Sequence, residues 1–108
     1  MNATSNVRPA EPYESEATIE LAPWDRHSHP DWISNLAVSL STLQQTRWER
    51  KPQVVAESDR KVHVSLDGYA HDVADANEHA EILLRRHTPR AGLMEGSYTI
   101  TVTSTRRP

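Results

Sequence analysis

Twice along this chain the apolar residues switch from every second position to helical spacing and back, and this alternation of periods limits the fold more than any other feature. Ala17-Thr18-Ile19-Glu20-Leu21-Ala22 alternates apolar and polar, as a half-buried strand does, and Pro23 ends it. Ser28-His29-Pro30-Asp31 then reads as a helix start: Ser28 can cap, Pro30 is tolerated in the first turn, and Asp31 stands where a capping box places its acid. Ile33, Leu36, Ala37, Leu40, Leu43 and Gln44 share one helical stripe, with Trp48 at its margin, which predicts a helix over about 29–48 stopped by Pro52.

The second switch begins with Gln53 to Glu57, a short strand around Val54 and Val55. Ser58-Asp59-Arg60 is a turn, and Lys61 to Leu66 alternates with Val62, Val64 and Leu66 on the inner side, so the pair predicts a β-hairpin broken at Asp67-Gly68. From about residue 70 or 73 to 87, Val73, Ala76, Ala80, Leu83, Leu84 and His87 share a helix face. Asp72 and Asp75 near its start and Arg85, Arg86 and His87 near its end complement the helix dipole. Thr88-Pro89 is expected to end it. Tyr98, Ile100 and Val102 then alternate with Thr99, Thr101 and Thr103 in a last strand.

The resulting order, β-α-β-β-α-β, is that of an α+β, ferredoxin-like split βαβ unit: an antiparallel sheet in spatial order 4-1-3-2 with two helices on one face. The demanding element is the first strand, which is short and has to be central. Left unpaired, it would reduce the sheet to three strands. Residues 1–16 are polar, contain Pro9 and Pro12, and are read as a flexible tail. Residues 17–105 form a single domain, and 106–108 a flexible end. At 108 residues there is room for one core, not two.

Composition excludes several kinds of chemistry. There is no cysteine, hence no disulfide, thiolate metal site or Cys nucleophile, and a cytoplasmic location is expected. No apolar run reaches membrane-spanning length, and the N-terminus lacks the apolar stretch of a signal peptide. Ten Arg against two Lys suggests high-GC coding, as in an actinobacterium or one of its phages. The formal charge of −3 removes the footprint of most nucleic-acid binders. Arg47, Arg50, Lys51, Arg106 and Arg107 could form a basic end, but Asp67, Asp72 and Asp75 would offset it. The open face of the sheet would carry Thr18, Glu20, His63, Ser65, Thr99, Thr101 and Thr103, none of them a ring on which a base could stack.

Two surfaces stand out. In the split βαβ arrangement the loop from Trp24 to His29, the hairpin turn and the end of the second helix lie together. Arg26, His27, Ser28, His29, Arg85, Arg86 and His87 would then flank a helix N-terminus and could bind an anion or small ligand. His27, His29 and His87 with Asp25 are the corresponding metal alternative, although no metal is expected. The other surface is an interface: Ile82 on the outer side of the second helix, with Thr99, Thr101 and Thr103 on an edge strand. No catalytic residue is assigned, since no G-x-S-x-G turn or paired carboxylates occur. With Gly68, Gly92 and Gly96 scattered there is no phosphate loop either, and no cofactor is expected. The reading is a small non-enzymatic accessory or protein-interaction module with a protein partner or self-association. The alternative is a small-molecule or anion-binding domain, or small enzyme, using the His27/His29/Arg85 end.

Overall fold

The computed structural model describes residues 9–43, 45 and 49–108. Strand β1 (Glu11–Leu21) leads to helix α1 (Trp32–Leu40), the hairpin β2 (Gln53–Ser58) and β3 (Lys61–Ala70), helix α2 (Val73–Ala91) and strand β4 (Tyr98–Arg106). The four strands form one antiparallel sheet in the order β2-β3-β1-β4. β1 is therefore central, paired along its length with β3 on one side and β4 on the other.

The inward side of the sheet carries Ala17, Ile19 and Leu21 of β1 and Val62, Val64 and Leu66 of β3. Trp32, Leu36 and Leu40 of α1 and Ala80, Leu84 and Ala91 of α2 close over them in the same cluster. Both helices thus lie on one face and pack on each other. The Trp32 indole N–H donates to the Asp59 carbonyl at 3.0 Å, tying the start of α1 to the hairpin turn.

Four local expectations are corrected. First, the chain is ordered into the sheet from Glu11, not from Ala17. Tyr13 and Ser15 continue the buried alternation, and the Ser15 hydroxyl meets that of Ser104 at 2.8 Å. A serine on the inner face hides the period. Residues 1–8 lie outside the described residues. The C-terminal end is likewise not free: β4 includes Arg106, and the Arg107 N–H donates to the Pro12 carbonyl.

Second, α1 is short. Its N-cap is Asp31 and makes no side-chain cap bond; Ser28 lies before it, its N–H donating to the Asp25 carboxylate at 3.4 Å. The helix stops at Leu40 because the next hydroxyls take the backbone for themselves. Ser41 donates to the Val38 carbonyl at 2.6 Å and Thr42 to that of Ser39 at 2.7 Å. Ala37 is exposed rather than part of the buried stripe, and Gln44 and Trp48 lie outside the described residues.

Third, β3 runs through Asp67-Gly68 to Ala70, with Gly68 opposite Tyr13. Fourth, α2 passes through Thr88-Pro89 to Ala91. A proline has no N–H for the carbonyl four residues back, here that of Arg85. The Thr88 hydroxyl donates to that carbonyl instead, at 3.4 Å. Gly92 ends the helix at φ +92, where the His29 side chain lies so close that a Cβ on Gly92 would come within 2.5 Å of it.

Candidate functional site

The His and Arg end of the sheet assembles only in part. A hollow of about 300 Å3 is lined by Asp25, Arg26, Ser28 and His29 of the loop and by Asp59 and Arg60 of the hairpin turn. Asp25 is buried, and burial works against its ionised form. Hydrogen bonds from Ser28 and His27 and the charge of Arg60 outweigh that, holding the carboxyl below its ordinary value. The loop is therefore built around an ionised carboxylate, with Asp59, Arg26 and Arg60 on the same lining, so the hollow carries both signs of charge.

Only some of the residues expected here line the hollow, and those that do are engaged locally. The Arg26 guanidinium turns back onto the Asp25 and Pro23 carbonyls. His29 is engaged at both ends: its N–H donates to the Gly92 carbonyl, and Nδ1 accepts the Asp31 N–H at 3.0 Å. His27 is exposed. Arg85 pairs with Glu81 at 3.0 Å and lies 5.9 Å over the Tyr98 ring. Arg86 is exposed. His87 is buried between the helices, its Nδ1 2.6 Å from the Ser39 hydroxyl. Its burial, and then the charges of Arg90 and Arg86, push its pKa below the ordinary value. The structure thus brings Arg26, Ser28 and His29 to the hollow and leaves His27, Arg85, Arg86 and His87 out of it. Among the described residues no three His, Asp or Glu side chains stand where they could hold a metal ion.

The residues read as an interface share one edge of the sheet but lie on its two sides. β4 is an edge strand whose only neighbour among the described residues is β1. Thr99, Thr101 and Thr103 are exposed on its outer face. On the helix side Ile82, 43% exposed, stands beside Val102, with Asn77, Glu78 and Glu81 completing a groove of about 340 Å3. The Asn77 side-chain oxygen is buried there without a hydrogen-bond partner. From Tyr98 to Thr105 the strand carries no charge and no proline, and its register with β1 is unbroken. Alternate peptide groups of such a strand face outward unpaired and are a template for another strand.

Two features lie beyond the sequence expectations, one on this surface and one between β1 and β3. Glu78, Ile82 and Arg86 are spaced by four and form one exposed stripe, a signal that was present in the spacing. Neither Glu78 nor Arg86 has an ion-pair partner among the described residues, whereas Glu81 pairs with Arg85 and Asp75 with His79. The other feature carries no sequence signal, because it depends on register. Glu14 and Asp67 stand directly opposite on β1 and β3, and Arg50 bridges them at 2.6 and 3.2 Å. Arg107 reaches Asp67 at 3.2 Å.

The open face is polar and largely satisfies itself. Thr18 meets His63 at 3.2 Å, His63 meets Glu57 at 2.8 Å, and Ser65 donates to Glu16 at 2.8 Å. No described helix is long and apolar enough to cross a membrane. No protein-family model matches the chain, and neither a curated protein nor a solved structure matches it.

Proposed function

We propose that this chain is a small non-enzymatic accessory or interaction module that docks a protein partner along the outer edge of β4 and the adjoining stripe of α2. The observation that carries this reading is the nine-residue edge strand, uncharged up to Arg106 and flanked by half-exposed Ile82. A strand partner would gain main-chain hydrogen bonds along β4 and an apolar contact at Ile82 and Val102. The finer topology is read as the ferredoxin-like split βαβ unit, supported by central β1 and by both helices packing on one face. The cytoplasmic assignment rests on the lack of cysteine in a domain of this size. The competing anion- or ligand-binding reading at His27, His29 and Arg85 loses its support, since Arg85 is held by Glu81 and Tyr98.

The test is photo-crosslinking in the native host, with a photoreactive residue placed singly at Thr101, Val55 or Trp24, all exposed. Adducts concentrated at Thr101 are expected. Adducts at Trp24 or Val55 with none at Thr101, or no adducts at all, would overturn the reading.

A further inference from the structure

Resting on that docking edge, we propose that its occupant is a second copy of the chain, with β4 pairing antiparallel to β4 of the copy about a twofold axis close to Val102. Three features of the surface converge on this arrangement.

The first is the strand. An isologous contact requires a surface complementary to itself. With the axis at Val102, Thr101 falls opposite Thr103 of the copy, Ile100 opposite Ser104, and Thr99 opposite Thr105. No charged residue meets a like charge anywhere from Tyr98 to Thr105. Each facing pair keeps its side of the sheet, so the β-branched threonines make cross-strand contacts on the open face, and Val102 meets its own copy on the helix side.

The second is the helix above it. α2 lies against β4, and its outer stripe reaches the same groove through Ile82 beside Val102. An axis through Val102 sets the two α2 helices antiparallel, with Ile82 near the centre. Residues equally far from Ile82 in opposite directions then face each other. Four residues back is Glu78 and four residues on is Arg86, so each Glu78 meets the Arg86 of the other copy. Both charges are exposed, and neither has an ion-pair partner among the described residues, whereas Asp75 and Glu81 are paired within the helix.

The third is what the copies would cover. Ile82 and Val102 leave water in both copies, and the unpaired peptide groups of both edge strands are used at once. The result is one continuous eight-stranded sheet with four helices on one side. Such an interface is modest in area, so the association is expected in the micromolar range rather than below it.

The experiment is the mass of the full chain in solution, by sedimentation or light scattering, from about 10 μM to about 1 mM, the range in which modest interfaces associate. The mass is expected to rise from 12.2 kDa toward twice that value. Glu78→Arg and Arg86→Glu should each weaken association about tenfold, because each reversal acts twice across the axis. The double variant Glu78→Arg/Arg86→Glu should restore it. Thr101→Lys/Thr103→Lys puts lysine against lysine at exposed positions and should leave a monomer with an unchanged far-ultraviolet spectrum. A wild-type mass fixed at that of one chain would overturn the proposal. So would a dimer indifferent to all these changes. If crosslinking at Thr101 yields an adduct with a different protein while the chain stays monomeric, the docking edge stands and self-pairing falls. If Thr101 yields no adduct and the chain is monomeric, both fall.

Discussion

The two edges of this sheet are built in opposite ways. β2 is six residues long, follows Lys51-Pro52, and loses its register with β3 between Ala56 and Ser58. Its Glu57 is occupied by His63 and Lys61. A short, irregular and charged strand is a poor template for a neighbour. β4 is half as long again, pairs in unbroken register from Tyr98 to Arg106, and carries no charge before its end. Both strands face the same hydrophobic cluster, β4 through Tyr98, Ile100 and Val102 and β2 through Val54 alone. The outer side of β2 is thus short, irregular and charged, and that of β4 long, regular and uncharged.

The comparison holds only if both edges are anchored by one core, and the largest expected effect tests that. Leu84 is fully buried between α2 and the sheet, and Leu84→Ala should cost about 2–5 kcal/mol. In a denaturant titration read by hydrogen exchange, the paired amides of β2 and of β4 should lose protection together. Independent transitions would show that β4 is a separate, weaker unit.

Next in size is the response of stability to concentration. Where the chain stands at about 100 times its dissociation constant, association adds about 2.7 kcal/mol to stability. The melting temperature of the wild type should therefore rise with concentration, and Thr101→Lys/Thr103→Lys should abolish the rise. The matching change on the other edge, Gln53→Lys/Val55→Lys, should leave it intact. A loss of the rise from the β2 variant instead would reverse the assignment of the two edges.

A third effect is shared by both edges. Arg50, just ahead of β2, and Arg107, just beyond β4, both reach Asp67 at the centre of the sheet. Burial works against the Asp67 carboxylate, whose side chain is 3% exposed, but Arg50's hydrogen bonds and the charges of both arginines outweigh it and hold its pKa below 3.8. A carboxyl lowered in the folded state stabilises the protein above its unfolded value near 3.8 and loses that contribution as pH falls through the folded value. Asp67→Asn should cost about 1–3 kcal/mol at neutral pH and remove that part of the acid dependence, as chemical denaturation at pH 7 and near pH 3 would reveal. An unchanged acid limb in Asp67→Asn would rule out this origin.

The smallest effect involves His87. Burial lowers its pKa below 6.5, so its neutral form is favoured in the folded state. The stability it contributes is full above about 6.5 and is lost as pH falls from there through the folded value. His87→Gln should flatten the stability profile over that window, measured by denaturation at steps from pH 7.5 to 5. A slope unchanged by the substitution would assign it to another group.

Much of the fold was legible because periods survive in sequence. Val62, Val64 and Leu66, and Leu36 with Leu40, were read directly, and central β1 followed from the element order. What failed did so where polar groups act locally. Ser15 sits on the inner face because Ser104 answers it across the sheet, and no single-strand pattern carries that information. The helix stripe of α1 continued on paper past Leu40, but Ser41 and Thr42 bond backward and close the helix. Pro89 read as a stop, yet a proline in the last turn frees one carbonyl, which Thr88 takes. The candidate surfaces divide in the same way. Ile82 and the threonines of β4 depend on helix phase and strand alternation, and both were legible. The expected His and Arg cluster depended on side-chain direction, which Glu81, Tyr98 and Ser39 decide for Arg85 and His87. The arrangement of Arg50, Glu14 and Asp67 depended on a register that no local pattern encodes.

The most direct test of the account is residue-resolved hydrogen exchange on the two edge strands at low and high protein concentration. The outward amides of β2 should exchange at the rate of an exposed strand at every concentration. Those of β4 between Tyr98 and Thr105 should match them when dilute and gain protection as concentration rises. Equal exchange on both edges throughout, or protection appearing on β2 instead, would contradict it.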